Sequence, residues 1–249
     1  MISFLNMHHY GRFGNRLFMI AGTIGLALDN GFTFGFDTWE ESKYFKNPLP
    51  PITGKLDKLP RNSCIKYRIR VPFGWKPGIK ITDNAFLFGF MQSDKYFKHH
   101  ADVIRHYFEL KPKDCPYFTD AIALHFRGTD YRNVGFPLCT RDYYMQAISM
   151  MPKEYKIFVF SDEVETVEEM FRGSMHEKRI FYRIPAHYMD DFYMMTKCKH
   201  FIISNSTFAW WAAWLAKQDG KKVIAPKNWY KQGITETPDD IYCDDWIVI

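Results

Sequence analysis

Apolar residues fall along this chain in two different rhythms. In the second half they come as short dense runs, at 121–126, 157–160, 180–184, 201–203 and 223–225. Each of the first four is followed by a loop and a stretch with helical spacing, at 141–151, 163–171, 190–197 and 206–217. Short buried strands alternating with helices predict a doubly wound α/β half, a parallel sheet with helices on both faces and right-handed crossovers. The first half is less regular. Residues 2–7 read as a buried strand, 17–29 as a helix stopped by Asn30-Gly31, and 32–36 as an alternating strand. One strand, 65–71, is expected within a Pro-, Lys- and Arg-rich stretch, and 86–90 as another. Residues 94–108 have helical spacing, with Asp94 placed to cap them. Lys111-Pro112-Lys113 reads as a linker, which divides the chain into domains 1–113 and 114–249.

Ligands of open parallel sheets bind beyond the carboxyl ends of the strands, where strand order reverses. Three strand-to-helix loops therefore carry the candidate chemistry. The first, residues 8–16, contains Arg12, Phe13, Gly14, Asn15 and Arg16; its two glycines allow close backbone approach and its arginines add charge. As a pattern it reads first as a tight turn with solvated arginines. The second is His125-Phe126-Arg127-Gly128-Thr129-Asp130-Tyr131. An arginine at a strand tip suits a two-pronged grip on phosphate, and Asp130 either orients it or caps the next turn. His125 shares the strand face of Arg127, as a proton carrier or as a packed core histidine. The third is Ser204-Asn205-Ser206-Thr207-Phe208, opening a helix that holds Trp210, Trp211 and Trp214. Hydroxyl and amide side chains there serve as helix caps or as a phosphate cradle, and the tryptophans read as core. Asp162 and Asp191, at the starts of two further helices, either cap them or face the crevice.

Composition narrows the classes. The chain has 249 residues, 47% apolar and 24% charged, enough for a substantial core. Its formal charge of +5 suits an anionic ligand such as a nucleotide, but the basic residues are dispersed, which argues against nucleic acid. The most apolar stretch, 17–28, is too short to span a membrane and is broken by Gly22 and Gly25. The start lacks the layout of a secretory signal, and five scattered cysteines read as reduced thiols; both favour a cytoplasmic setting. No Asp-x-Asp, P-loop, Gly-x-Gly-x-x-Gly or Gly-x-Ser-x-Gly occurs. A diphosphate handled here would be neutralised by arginines and a helix end, with no metal and no cofactor.

Taken together the motifs resemble a known family. The stretch from Asp191-Phe192-Tyr193 through Cys198-Lys199-His200 and Ser204-Asn205-Ser206-Thr207-Phe208-Ala209-Trp210-Trp211 to Trp214-Leu215 is similar to the signature of the α-1,2-fucosyltransferases. Val223-Ile224-Ala225-Pro226-Lys227-Asn228-Trp229-Tyr230 is similar to that family's tail. His125 to Tyr131 resembles its His-x-Arg-Arg-Gly-Asp-Tyr motif. Gly11-Arg12-Phe13-Gly14-Asn15-Arg16 resembles its opening loop and also that of protein O-fucosyltransferases. Two departures stand out: Gly128 replaces the second Arg, as in the single-Arg form of the protein O-fucosyltransferases, and Arg16 replaces Gln.

The resemblance implies a GT-B-like enzyme of two Rossmann-like halves, with an acceptor-side N-terminal domain and a nucleotide-sugar domain after it. It implies inverting, metal-independent transfer of L-fucose from GDP-fucose to a glycan hydroxyl, α-1,2 to a galactoside. By that likeness Arg127 holds the β-phosphate with Ser206 and Thr207, with Asp130 and His125 beside it as further catalytic candidates. Asp191 accepts from guanine, Asp162, Asn205 and Phe208 complete the donor site, and Arg12, Phe13, Gly14 and Asn15 wall the fucose. Alternatives are another GDP-sugar, protein O-fucosylation, or a non-catalytic sugar- or nucleotide-binding protein.

Overall fold

The computed structural model describes residues 1–4, 11–58, 68–114, 118, 120–183, 187–231 and 238–249. By its contacts the chain forms two compact units: Met1–Pro112 with Glu236–Cys243, and Lys113–Thr235 with Asp244–Ile249. The return of 236–243 to the first unit is absent from the sequence pattern. Within that unit the returning segment forms a 3₁₀ turn, Pro238–Ile241, whose Asp240 accepts from Lys95 (2.7 Å) and from the Trp75 amide (3.0 Å).

The second unit is a six-stranded, wholly parallel sheet. Its strands are β4 (Ala121–Phe126), β5 (Lys156–Ser161), β6 (Ile180–Tyr182), β7 (His200–Ile202), β8 (Val223–Ala225) and β9 (Ile247–Val248), in spatial order β6-β5-β4-β7-β8-β9. Residue 184, expected at the end of the third strand, lies outside the described residues. The chain runs outward from β4 to β5 and β6, then crosses back to lay β7 on the other side of β4. Strand order therefore reverses between β4 and β7, paired with Leu124 opposite Ile202. All six residues of β4 are buried, as a strand covered on both faces requires. The helices α4 (Arg141–Ser149), α5 (Val164–Phe171), α6 (Tyr188–Met195) and α7 (Thr207–Leu215) follow the expected strands. A further one, α3 (Thr129–Val134), follows β4 directly; at six residues it is too short to show a period, as β9 is at two. Ile122, Leu124, Val159 and Ile202 pack with Tyr144, Ile148, Val167 and Phe171 from α4 and α5. Trp210, Trp211 and Trp214 are buried, as expected of core residues.

The first unit is built on a three-stranded parallel sheet, β1 (Ile2–Phe4), β2 (Arg68–Arg70) and β3 (Ala85–Phe88), in order β1-β3-β2. The remainder of the strands expected at 2–7 and 65–71 falls largely outside the described residues. The helix α1 (Phe13–Asp29) begins four residues before its expected start. Two expectations are corrected. Residues 32–36 form no strand, only single bridges from Phe34 to Ile2 and from Phe36 to Pro51. The neighbouring segment holds Pro48, Pro50 and Pro51, which lack the N–H groups that a ladder needs. Residues 94–108 are not one helix but two 3₁₀ turns, Asp94–Tyr96 and Lys98–His100, followed by α2 (Ala101–Tyr107). The cap of the first turn is Ser93, not Asp94. The break comes where α1 crosses: a Cβ on Gly25 would lie 2.0 Å from the Tyr96 carbonyl oxygen. The backbone at Phe97 (φ −147°, ψ −4°) leaves the helical region there.

Among the described residues no helix is long and apolar enough to cross a membrane. Cys139, Cys198 and Cys243 are buried; Cys64 and Cys115 lie outside the described residues.

Candidate active site

The loops after β4 and β7 flank the reversal of strand order. Arg127 stands at the tip of β4. Its Nη2 lies 2.6 Å from Asp130 Oδ1 and its Nη1 3.0 Å from Asp162 Oδ2. Its guanidinium carbon sits 5.9 Å from the centre of the Tyr131 ring. Two carboxylates and an aromatic face thus hold the fork in one orientation, while the side chain stays 22% exposed. Asp162, at the tip of β5, does more than face the crevice. Its Oδ1 accepts from the Gly128 amide (3.0 Å), and its Oδ2 accepts from the Thr129 hydroxyl (2.6 Å) as well as from Arg127. It organises the whole turn after β4.

Tyr131 joins this turn to the loop after β7. Its hydroxyl donates to the carbonyl of Asn205 (2.8 Å), the residue before Ser206. Burial pushes the phenol up to about 12. Arg127 and the loop that carries Ser206 therefore meet on one tyrosine. Ser206 is the residue before α7, yet its side chain does not cap that helix. The opening amides of a helix have no intrahelical partners, and the dipole end there favours an anion. Thr207 is the first helical residue and half-buried.

The remaining candidates of this unit are placed as follows. Asn205 is buried and turned inward: its amide donates to the Pro137 carbonyl (2.9 Å) and the Trp229 carbonyl (3.1 Å), so its side chain braces the loop. His125 is buried at 5% exposure, with Nδ1 2.8 Å from Ser204 Oγ. Burial lowers its pKa to about 4, with Asp162 opposing that shift. It ties β4 to the loop after β7 as a neutral ring. Phe208 packs between His125 (5.8 Å) and Phe192 (5.2 Å). Asp191, in the first turn of α6, is ion-paired with Arg183 just past β6. Burial outweighs that pairing and pushes its pKa up to about 6. Neither Arg183 nor Tyr131 was singled out by sequence; Arg183 carried one signal, its position immediately after a strand. Gly128 has no room for a Cβ while Glu163 holds its place, because the added atom would lie 2.4 Å from that carboxylate. Glu163 itself pairs with Arg132 (2.9 Å).

In the first unit the candidates are less alike. Residues 8–10 lie outside the described residues. Arg12 is exposed at the start of α1. Phe13 is buried and stacked with Trp39 (6.2 Å) and Phe45 (6.4 Å). Gly14 is buried too, and Asn15 accepts from the Gln92 amide (2.8 Å). Arg16 is not available charge: its Nη1 donates to both oxygens of Glu41, at 2.8 and 3.0 Å.

An arginine, hydroxyls and a helix entrance are thus gathered at the switch point of a parallel sheet, an arrangement of the α/β enzyme class. The comparisons specify it. The family model of glycosyl transferase family 11 matches residues 68–249, and the chain belongs to that family of glycosyltransferases. An alpha-1,2-colitosyltransferase of Escherichia coli is 29% identical over 230 residues, covering 83% of this chain and 76% of that protein. Among solved structures, an Arabidopsis thaliana FUT1 variant in complex with GDP aligns at a TM-score of 0.51 and 14% identity, covering 90% of this chain and 70% of that one. POFUT1 in complex with GDP aligns at 0.51 and 12%, covering 89% and 97%. These likenesses show the fold, the GT-B type of fucosyltransferases.

Proposed function

We propose that this glycosyltransferase moves L-fucose from GDP-fucose to a sugar hydroxyl, α-1,2 to a galactoside, with inversion. In the transfer, the acceptor oxygen bonds to C1 as the bond from C1 to the β-phosphate oxygen breaks. GDP leaves with that electron pair, and the acceptor hydroxyl gives up its proton to solvent water. Negative charge grows on the diphosphate, and preorganised donors there lower the barrier. The observation that carries the reading is that Tyr131 joins Arg127 to the loop holding Asn205 and Ser206 at the switch point. Arg127, with Ser206, Thr207 and the α7 entrance, receives the leaving charge. Asp130 and Asp162 orient Arg127, and His125 positions the two loops. Asp191 with Arg183 offers a carboxylate to the base. The two aspartates beside Arg127 are engaged by Arg127, Gly128 and Thr129, so the donor set is suited to transfer without a divalent ion at the diphosphate.

A second reading is favoured by the colitosyltransferase relative: a donor carrying colitose, which is fucose without the 3-hydroxyl. A site that hydrogen-bonds a substrate hydroxyl strongly rejects the analogue lacking it. GDP release should therefore be measured with GDP-fucose, GDP-colitose and GDP-mannose against an array of galactosides and glycopeptides. Turnover with GDP-fucose on galactosides is expected. Preference for GDP-colitose selects the second reading, and turnover with GDP-mannose alone overturns both.

A further inference from the structure

At the far end of α1 from the glycine loop, three ligand-type side chains converge. Asp29 is the last residue of α1, and His99 and His100 close the 3₁₀ turn that leads into α2. His99 Nε2 lies 2.7 Å and His100 Nε2 2.9 Å from the same oxygen, Asp29 Oδ1. The three ligand atoms all fall within 4.8 Å of one another. We propose that Asp29, His99 and His100 form a binding site for a first-row divalent cation, Zn²⁺ foremost, which clips the end of α1 to the start of α2.

The chemistry favours such an ion. Two imidazoles and one carboxylate make a three-ligand set that leaves a fourth position for water. Imidazole nitrogen selects zinc, nickel, cobalt or copper over magnesium and calcium. Ligand atoms around tetrahedral zinc stand about 3.3 Å apart, so the two rings need withdraw from Asp29 by only about half an ångström. Each ring presents Nε2 as a lone pair by carrying its proton on Nδ1, which costs no net proton when the ring starts neutral. The setting is electrostatically apt as well. The C-terminal end of a helix carries partial negative charge, and α1 has no basic residue in its last turn to meet it. Side-chain exposures of 38%, 47% and 27% for Asp29, His99 and His100 leave the site open to an ion from solvent.

This site lies at the other end of α1 from the glycine loop. The 17 residues of α1 span about 25 Å between the glycine loop and Asp29. A metal here acts on stability, not on the leaving group. It also confounds a common experiment, because a chelator would soften the protein without testing whether transfer uses metal.

The test uses the full chain stripped with chelator and titrated with ZnCl₂ by calorimetry, with CoCl₂ in parallel for its visible spectrum. One equivalent should bind, with a cobalt spectrum of nitrogen and oxygen ligation. A Zn²⁺ concentration near 100 times the Kd should raise Tm by about 5 °C. The H99Q/H100Q double variant should lose at least tenfold in affinity, and His99→Ala alone should weaken binding. Both should keep the metal-free Tm and the transfer rate of the parent. Magnesium should produce none of these effects. Undiminished binding by H99Q/H100Q, cysteine-type cobalt bands, or no saturable binding by the parent chain would each overturn the assignment.

Discussion

Arg16 and Arg127 present the same pattern in sequence, a cation in a glycine-bearing loop between a strand and a helix. The structure gives them opposite employment. Arg16 gives one amino group to both oxygens of Glu41, a carboxylate only 4% exposed, and so fastens α1 to the 3₁₀ turn Glu40–Tyr44. Arg127 is gripped by two different aspartates on its two amino groups and lies over Tyr131 at the reversal of strand order. A cation matched to one buried acid is part of the frame. A cation oriented by several partners at a sheet's switch point is free to serve a ligand through its other N–H groups.

The sharpest way to break this contrast is to delete each arginine and read both turnover and stability. Arg127→Ala should lose 10²–10³ in kcat, about 2.7–4 kcal/mol of transition-state stabilisation. Its unfolding free energy in urea should move by less than about 1 kcal/mol, because Asp130 and Asp162 remain partly exposed. Arg127→Lys should be nearly as poor, since a point charge does not reproduce the fork. Arg16→Ala should do the reverse, losing about 3 kcal/mol of stability by stranding Glu41, with turnover per folded molecule preserved. Pairing Arg16→Met with Glu41→Leu should restore most of that loss. An Arg16→Ala protein of normal stability and poor turnover would place Arg16 in the site instead.

His125 sharpens the picture from a different side. Its folded pKa of about 4 lies below the ordinary 6.5, so the unfolded chain binds more protons in between. Its contribution to stability is complete above pH 6.5 and is lost as pH falls towards 4, by about 3 kcal/mol. His125→Asn should flatten that segment of the denaturation curve against pH. In the parent, turnover between pH 5 and 8 should show no inflection from this ring; one that His125→Asn abolishes would make it a proton carrier. The smallest effect is expected for Tyr131→Phe, which removes the hydroxyl between the two loops. About 1 kcal/mol of stability and a few-fold drop in turnover should follow, and a loss as large as that of Arg127→Ala would mean that the phenol meets the substrate.

How far the sequence foretold this differs between the two units for a physical reason. Strands such as β4 and β8 are buried on both faces, so their apolar runs mark them without help from neighbours. In the first unit, residues 32–36 alternate like a strand, but their outcome was set by prolines fifteen residues onward. The helix expected at 94–108 was broken by the crossing of Gly25, far away in sequence. The site shows the same division. Arg127, Ser206 and Thr207 were legible from their places at strand tips and helix starts. Their partners were not, because the link from Asp162 to Gly128 and Thr129 and the grip of Glu41 on Arg16 are long-range, and Arg183 meets Asp191 only once β6 and α6 are placed. The burial of Phe13 was hidden for the same reason: the rings that bury it, Trp39 and Phe45, come from another segment.

The most direct measurement is a crystal structure of this chain with GDP bound. The account predicts the β-phosphate within hydrogen-bond reach of the Arg127 guanidinium and of Ser206 or Thr207 at the entrance of α7. A diphosphate seated away from the β4 and β7 loops, with Arg127 still enclosed by Asp130 and Asp162, would contradict it.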